Sequence, residues 1–350
     1  MSARSWPEIL GALTDGVDLT AEEAAWAIDE IFSDNATQAQ IAAFGVALKM
    51  KGPTALELSG LADGMLSHAR RISLDTDAVD IVGTGGDRSG TVNISTMSSI
   101  VVSAAGIPVV KHGNRAASSK SGGADVLEAL GVRIALSPEA VAQCVREVGI
   151  GFCFAPLFHP ALRFAGPARK EIGIPTVFNV LGPLTNPAQP GAGLIGCAFP
   201  ELVPVIAGAF AERGTNTLVV RGNDGLDEIT TAATTTAWVV TGGQMRDTVI
   251  DPERLDIALV EPAALRGGDA TVNAAVAREM FAGAPGAVRD AVLLNSAAAV
   301  VAAELTPAVA GTDIHDLLRP ALARVAAAVD TGAAAQLLDR WVKVSNELGD

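Results

Sequence analysis

The sequence contains no tyrosine, few other aromatic residues and only three cysteines among its 350 residues. Cys144, Cys153 and Cys197 are odd in number and lack the spacing of a metal-binding cluster, so we interpret them as buried, reduced thiols. Reduced thiols favour a cytoplasmic location. The apolar content of 49% excludes a disordered chain, and the low aromatic content of 4% suits helices packed on a buried parallel sheet.

Positive charge is also in short supply, with 25 lysines and arginines against 39 acidic residues and a formal net charge of -14. Such a field repels polyanions, which excludes a general nucleic-acid or membrane-surface binder and leaves room only for a local phosphate site. Residues 1–11 lack the apolar core of a signal peptide, and the Ala-rich stretch 287–306 is interrupted by charged residues and Asn295. We therefore expect no membrane segment and interpret residues 287–306 as a buried helix.

The first seventy residues carry the pattern of successive helices. Three residue pairs have the spacing of a capping box, in which a hydroxyl and a carboxyl or amide group satisfy backbone donors at a helix start; they are Thr20–Glu23, Thr37–Gln40 and Thr54–Glu57.

After Arg71 the pattern changes to short β-branched runs that alternate with helical runs, which is typical of a parallel α/β sheet. The Pro-punctuated segment 158–190, helical over 159–172, interrupts the alternation and is interpreted as an excursion into the first domain. The predicted strands are 78–82, 108–111, 150–154, 194–198 and 217–221, and the predicted helices are 96–105, 124–130 and 138–148.

A glycine-rich run, Gly83 to Asp87, follows the first predicted strand and precedes a helix, where backbone N–H groups gather an anion. A tight turn without a ligand would carry the same letters. A dinucleotide fingerprint would need glycine at position 88, which is Arg88, and a Walker-type Gly-Lys-Ser/Thr run does not occur.

Three further clusters are expected at the same edge of the sheet. Asn93 to Thr96 begins the next helix, where its hydroxyls either cap the helix or face a phosphate. Lys111 to Arg115, with Lys120, is a basic loop that is either solvated or binds a phosphate. Asp224 to Glu228 is either an ordinary acidic turn or a source of carboxylate ligands for magnesium. Together the clusters predict a site for a polyphosphate with magnesium.

Four ordered segments, 80–97, 111–131, 158–187 and 222–230, resemble the anthranilate phosphoribosyltransferase family of tryptophan synthesis. The resemblance implies transfer of the phosphoribosyl group from phosphoribosyl diphosphate to the amine of anthranilate, with inversion and without a covalent nucleophile. Neither His112 nor His159 is assigned as a general base. The resemblance also implies an α/β fold of the nucleoside phosphorylase/phosphoribosyltransferase type and a homodimer formed through the helical domains. The implied helical domain is 1–75 with 158–190, and the implied α/β domain, which carries a mostly parallel central sheet flanked by helices, is 76–157 with 191–350.

The resemblance assigns ligands residue by residue. Anthranilate would contact Gly83, Asn114 and Arg169, the last with a guanidinium fork suited to a carboxylate. Of two magnesium ions per subunit, one would be held by Ser95 and Glu228 and the other by Asp227 and Glu228. Phosphoribosyl diphosphate would be bound by Gly83, Gly86, Asp87, Thr91, Asn93, Ile94, Ser95, Thr96, Lys111, His112, Gly113, Asn114, Arg115, Ala116, Ala117, Ser118, Ser119 and Gly123.

Two positions depart from the family pattern. Arg88 stands where the family has glycine, so we expect a negative backbone φ there, and Gly123 stands where serine is common. Two rival functions use the same architecture: a pyrimidine nucleoside phosphorylase, which would carry a Lys-His-Ser pattern near the glycine loop, and a non-catalytic nucleic-acid-binding relative, which would need a basic face.

Overall fold

The computed structural model describes residues 5–116 and 120–349. The chain begins with helices α1 (Trp6–Thr14), α2 (Ala21–Phe32), α3 (Gln38–Lys51) and α4 (Ala55–Ser67). All three predicted capping boxes are present, each with the hydroxyl accepting from the N3 backbone and the N3 side chain accepting from the N-cap backbone. The helix starts were therefore predicted to the residue, because a capping box is a purely local signal.

The larger part of the chain is built on one seven-stranded sheet with the order β3-β2-β1-β4-β5-β6-β7. In this order the neighbouring strands from β3 to β5 run parallel, whereas β6 runs antiparallel to both of its neighbours, β5 and β7. The predicted α/β class with a mostly parallel sheet is confirmed. The strands are β1 (Val79–Gly83), β2 (Val109–Gly113), β3 (Ile150–Phe154), β4 (Ala192–Gly196), β5 (Asn216–Gly222), β6 (Thr235–Thr241) and β7 (Gln244–Ile250).

Helices cover both faces of this sheet. The remaining helices are α5 (Ile94–Ala104), α6 (Gly123–Leu130), α7 (Pro138–Val148), α8 (Ala155–Phe158), α9 (Gly166–Ile172), α10 (Val203–Glu212), α11 (Ala270–Phe281), α12 (Ala287–Glu304), α13 (Ile314–Asp330) and α14 (Ala333–Glu347).

Two buried apolar clusters result. One cluster lies between one face of the sheet and the helices α5 to α7 and α11 to α14. The other combines α1 to α4, parts of segment 161–184 and α10. The second cluster reaches the sheet through Ile195, Val219 and Val240. Helix α10 therefore covers the face opposite α12, and the N-terminal helices pack on α10 through α4. Helix α12 is buried from Ala291 to Ala302, as predicted. All three cysteines are free and buried, also as predicted.

The structure refines or adds to the sequence predictions at three places. The stretch 159–172 is helical, as predicted, but it is divided into a 3-10 turn, Pro160–Phe164, and the short helix α9, because Pro160 and Pro167 each lack the N–H that a continuous helix needs. The hairpin of β6 and β7 was not predicted, although Gly242 and Gly243 join its strands with positive φ values, the usual requirement of a tight two-residue hairpin turn. Strand β4 also begins two residues before the predicted 194–198.

Within the described ranges no single helix is long and apolar enough to cross a membrane. The pair α13 and α14 reaches the required length and composition only when taken together, across a 65° bend.

Candidate functional site

The sequence clusters converge at the carboxyl edge of the sheet, because β1, β2 and β5 run parallel and each is followed by one of the predicted loops. The loop after β1, residues 84–92, contains most of the glycine-rich run and is named the phosphate loop. The loop after β2 carries the basic residues, and the loop after β5, residues 223–234, carries Asp227 and Glu228 and is named the carboxylate loop. Ala117, Ser118 and Ser119 of the basic loop lie outside the described residues.

The carboxylate loop sits directly on two glycines. Gly83 of β1 and Gly196 of β4 are partners in the sheet register. A Cβ on Gly83 would lie 2.3 Å from Asp227 Oδ2, and one on Gly196 would lie 1.5 Å from the Asp227 carbonyl oxygen. Gly83 was predicted to face the substrates; its missing side chain makes room for Asp227. Gly196 was not predicted as a site residue, although a glycine within a buried strand indicates close approach of another backbone.

Backbone donors of the phosphate loop and of α5 hold the two carboxylates. The Gly85 N–H donates to Asp227 Oδ2 at 2.7 Å, and the Ser95 N–H donates to Glu228 Oε1 at 2.9 Å. Helix α5 begins at Ile94, and its N-cap residue Asn93 makes no side-chain cap. Ser95 and Thr96 lie inside the helix rather than at its N-cap position, so the alternative that they cap it is wrong, and Glu228 from another loop accepts from this helix start.

Burial and mutual repulsion perturb these acids. Loss of hydration, together with the neighbouring negative charge of Asp87, raises the pKa of Asp227 to about 7. Part of Glu228 is accessible to solvent, yet loss of hydration around its carboxyl group and the charge of Asp227 raise its pKa well above the usual value. Adjacent carboxyl groups that resist ionisation are typical of a site that receives a cation.

Lys111 faces these acids from β2. Its side chain is buried, its ammonium group donates to the Ile81 carbonyl, and Asp80, Glu228 and Asp227 provide the opposing charge. Burial lowers the pKa of Lys111 and the three acids oppose that shift. Of the predicted cations, Lys111 is the one that the structure brings to the carboxylates.

Thr96 and Gly123 lie beside Lys111. The Thr96 hydroxyl is buried and has no hydrogen-bond partner among the described residues, so it retains a free donor. A Cβ on Gly123 would lie 3.2 Å from that hydroxyl and 3.7 Å from Lys111 Cε. The family's usual side chain at position 123 would therefore have little room here. The Ile94 side chain belongs to the core, so only its backbone is available to a ligand.

The two histidines are neutral and buried. His112 Nδ1 lies 3.0 Å from the Gly182 carbonyl, His159 Nε2 lies 2.8 Å from the Thr185 carbonyl, and the ring centroids are 5.2 Å apart. Burial lowers the pKa of His112 to about 3 and that of His159 to about 4. Imidazoles of such low basicity are poor proton acceptors near neutral pH.

The basic loop is more strongly paired than its sequence indicates. Arg115 donates to Asp125 at 3.0 Å, also bonds to Glu128, and lies 5.4 Å from the Phe154 ring. Asp125 accepts in addition from the Ala116 and Gly122 backbones. Arg115 therefore braces its own loop against α6. Lys120 is exposed, and Asn114 Oδ1 accepts from the Arg115 N–H.

The phosphate loop has an unusual backbone. Gly85, Gly86 and Gly90 have positive φ, and Arg88 also adopts φ 58°. The expectation of a negative φ at Arg88 is wrong: the loop imposes the left-handed conformation despite the Cβ penalty. Beyond it, Thr91 pairs with Arg266 in an isolated antiparallel bridge.

Arg169 lies in α9, within the segment that leaves the α/β domain. Its guanidinium is 5.9 Å from the Phe178 ring centroid, its residue is half-buried, and no ion pair involves it among the described residues. Burial lowers its pKa from the usual value. A partly desolvated, unpaired guanidinium is suited to an incoming carboxylate.

Comparison with known proteins is consistent with this geometry. The helical bundle domain of the glycosyl transferase family matches residues 7–69, and the a/b domain of that family matches residues 75–335. The chain is 73% identical over 344 residues to the anthranilate phosphoribosyltransferase of Nocardia farcinica, covering 98% of this chain and 100% of that protein. It is 66% identical over 346 residues to that of Rhodococcus jostii, covering 99% and 95%.

Two solved structures have the same fold. The crystal structure of anthranilate phosphoribosyltransferase from Thermus thermophilus matches with a TM-score of 0.89 at 37% identity, over 97% of this chain and 99% of that one. The Saccharomyces cerevisiae enzyme in complex with PRPP and Mg matches with a TM-score of 0.87 at 25% identity, over 98% of both chains.

Proposed function

The chain belongs to the glycosyl transferase family and, within it, to the anthranilate phosphoribosyltransferases, and from this premise we propose how its residues carry out the reaction. The enzyme transfers the phosphoribosyl group of 5-phosphoribosyl 1-diphosphate to the amine of anthranilate. The products are N-(5-phosphoribosyl)anthranilate and diphosphate, and the reaction is the second step of tryptophan synthesis from chorismate. One observation carries the assignment of the site: buried Lys111 faces Asp227 and Glu228 where the phosphate loop meets α5.

The enzyme uses magnesium, and the acidic groups of this site fit that ion. Asp227 and Glu228 offer hard oxygen ligands whose pKa values are raised by burial and by neighbouring negative charge. Among the described residues no cluster of three or more side chains forms a complete metal site, so substrate oxygens complete the coordination. We place two ions per subunit, one at Ser95 and Glu228 and one at Asp227 and Glu228. When bound, magnesium neutralises charge on the diphosphate.

The protein's own contribution is alignment and electrostatic stabilisation. Lys111 and the Thr96 hydroxyl face the departing diphosphate, and the N-terminal end of α5 adds the positive end of its helix dipole. The other residues of the phosphate loop and basic loop, including Gly86, Asp87, Thr91 and His112, enclose the phosphoribosyl part. The amine attacks the anomeric carbon as diphosphate leaves, so no side chain becomes covalently modified.

The acceptor side of the site is assigned to Asn114, Arg169 and the Gly83 backbone. Arg169→Ala is expected to raise the KM for anthranilate at least about tenfold, the size of one lost charge-assisted hydrogen bond, with a much smaller change in the KM for phosphoribosyl diphosphate. Steady-state kinetics with each substrate varied in turn measures both constants. Arg163→Ala is the matched control, because Arg163 lies in the same segment but is exposed and stacks on Phe164. Equal changes in the two KM values would refute the role of Arg169.

Proton linkage gives a test of the acidic cluster. The unfolded chain releases the Asp227 proton near the ordinary pKa of 3.8, whereas the folded, metal-free protein retains it up to about 7. The folded state then binds more protons than the unfolded state in this window, so its stability falls as pH rises from about 4 to 7. The thermal midpoint of the metal-free protein should fall over that range, and Asp227→Asn should reduce the fall. A variant profile as steep as that of the wild type would contradict the assignment.

Three broader features belong to the same proposal. We assign residues 1–75 with 158–190 to an acceptor-side helical domain, residues 76–157 with 191–350 to the phosphoribosyl diphosphate domain, and the enzyme to a cytoplasmic homodimer formed through the helical domains. The three buried free cysteines support a reducing location. Light scattering that gave a monomer mass at micromolar concentration would refute the dimer.

The decisive experiment mixes the protein with anthranilate, phosphoribosyl diphosphate and magnesium and follows the loss of anthranilate fluorescence. Loss that depends on all three components is expected. A parallel reaction with a pyrimidine nucleoside and inorganic phosphate tests the phosphorylase, and a salt-dependent DNA shift assay tests the nucleic-acid-binding alternative. Persistent fluorescence with the complete mixture would overturn the proposed function.

A further inference from the structure

Helix α12 carries a buried asparagine behind the carboxylate loop. Asn295 is 1% exposed in a helix whose neighbouring residues are otherwise almost all Ala, Val, Leu and Ser. Its Oδ1 accepts from the Ile229 N–H at 3.0 Å, and its Nδ2 donates to the Ile229 carbonyl at 2.8 Å and to the Ala291 carbonyl at 2.9 Å. The Asn295 side chain thus bonds to both the N–H and the carbonyl group of Ile229, as a neighbouring β-strand would.

Ile229 directly follows Glu228, so its pairing with Asn295 fixes the position of the chain immediately after the two carboxylates. Asn295 also borders the small cavity that Ser95, Asp227 and Glu228 line. Helix α12 packs against β1, β4, β5 and α5, so it provides a rigid support for the loop. Burying an amide in such a helix costs free energy that its three hydrogen bonds offset.

A second buried asparagine, Asn273 of α11, holds the start of α5, directly after the phosphate loop. It is 2% exposed, its Nδ2 donates to Asn93 Oδ1 at 2.8 Å, and its Oδ1 accepts from the Gly268 N–H at 2.7 Å. Asn93 in turn donates to the Ser121 carbonyl at 3.1 Å. Asn273 therefore connects the start of α5 with the basic loop and with the segment after Leu265.

Residues 265–267 form backbone hydrogen bonds with the end of the phosphate loop. The Gly267 N–H donates to the Gly90 carbonyl and the Val92 N–H donates to the Leu265 carbonyl, both at 2.9 Å. A Cβ on Gly267 would lie 2.7 Å from Asn273 Oδ1 and 2.8 Å from the Thr91 carbonyl oxygen. The end of the phosphate loop is thus clamped between α11 and the chain before it.

We propose that Asn295 and Asn273 are positioning residues: Asn295 sets the Asp227–Glu228 loop for magnesium, and Asn273 sets the phosphate loop for phosphoribosyl diphosphate. The inference rests on the proposed function, which places those ligands on those loops. Asn295 bonds to the residue after Glu228, whereas Asn273 bonds to the residue that precedes α5 and to the chain beside the phosphate loop, so their losses have different kinetic signatures. A purely stabilising role would lower the thermal midpoint and leave both binding constants unchanged.

The test uses Asn295→Ser and Asn273→Ser in the full chain. A serine at position 295 can bond to the carbonyl one turn earlier, as Ser296 does with the Val292 carbonyl at 2.6 Å, but it cannot reach Ile229. Ser296→Ala is the control, because it removes a fully buried hydrogen bond from the same helix without touching either loop. The thermal midpoint of each variant shows that it is folded.

Two readouts separate the roles. Asn295→Ser should raise the magnesium concentration for half-maximal activity about tenfold or more at saturating phosphoribosyl diphosphate, the size typical of a lost outer contact to a metal ligand. Asn273→Ser should raise the KM for phosphoribosyl diphosphate by about the same factor and leave the magnesium requirement within about threefold. Without turnover, Mn²⁺ binding in the presence of inorganic diphosphate, followed by the electron paramagnetic resonance of free Mn²⁺, should weaken for Asn295→Ser and not for Ser296→Ala.

Folded serine variants with wild-type constants, or with equal shifts in both constants, overturn the inference. If a serine variant does not fold, Asn295→Gln or Asn273→Gln replaces it, since glutamine keeps the amide and moves it by one methylene; the same split is required. Wild-type turnover is measured alongside. Its absence defeats the proposed function, whereas normal turnover with unchanged variants defeats only the positioning roles.

Discussion

Glu228→Gln is expected to lower turnover about a hundredfold or more at fixed magnesium while it stabilises the metal-free protein. Glutamine keeps the oxygen that accepts from the Ser95 N–H at 2.9 Å and removes only the charge. Loss of one electrostatic element of this kind typically costs about 10²- to 10³-fold in turnover. The stability effect has the opposite sign, because burial and Asp227 raise the pKa of Glu228 well above its usual value, and a carboxyl group with such a shift destabilises the fold at pH values above its ordinary pKa.

The measurement pairs turnover over a magnesium titration with the thermal midpoint in chelator at pH 8. Asp224→Asn is the matched control: Asp224 lies in the same loop, is exposed, and bonds to Thr230 within the loop at 2.7 Å rather than facing the site. It should leave turnover within about twofold, as expected for a surface substitution. Unchanged magnesium dependence in Glu228→Gln would show that Glu228 is not a metal ligand.

The features that sequence predicted well are those with local causes. The capping boxes at Thr20, Thr37 and Thr54 place helix starts because the hydroxyl and its partner are three residues apart. The meeting of the phosphate loop and the carboxylate loop was also predictable, since parallel strands bring the loops at their carboxyl ends to one edge.

The features that were not predicted depend on the surrounding structure. Arg115 carries the charge of a phosphate ligand, yet Asp125 and Glu128 on α6 bind it. Arg88 adopts a positive φ that its side chain disfavours, because the surrounding loop determines the backbone there. Asn295 is separated from Ile229 by 66 residues, so only the packed structure reveals their pairing.

Asp80 of β1 is a further residue whose contacts could not be predicted from the sequence. Its carboxyl group accepts from the His112 N–H at 3.1 Å and from the Asn186 amide at 2.8 Å, while that amide also donates to the Val110 carbonyl. Burial raises the pKa of Asp80 to about 6, and Lys111 opposes the rise. The one sequence signal for Asp80 was a charged residue inside an apolar strand. The fold reveals its three partners, which are the His112 N–H, the Asn186 amide and the Lys111 ammonium group.

Gly196→Ala is expected to abolish most activity by steric displacement of the carboxylate loop. The new methyl group would lie 1.5 Å from the Asp227 carbonyl oxygen and 2.5 Å from its carbonyl carbon, an overlap with backbone that no side-chain rotation relieves. The loop must therefore move by more than an ångström, and a misplacement of about 1 Å at a site costs about a hundredfold in rate. Overpacking of this kind also destabilises a fold by about 1–3 kcal/mol.

Gly193→Ala on the same strand provides the contrast. There the new methyl group would meet first the Cδ1 atom of Ile195 at 3.2 Å, the mobile end of a side chain, so a small rotation accommodates it. Urea unfolding and turnover measured for both variants should show loss of activity in Gly196→Ala and near wild-type turnover in Gly193→Ala. Gly83 is the neighbour of Gly196 on the adjacent strand β1 and also contacts Asp227. A fully active Gly196→Ala enzyme would therefore mean that the carboxylate loop does not rest on this glycine pair during turnover.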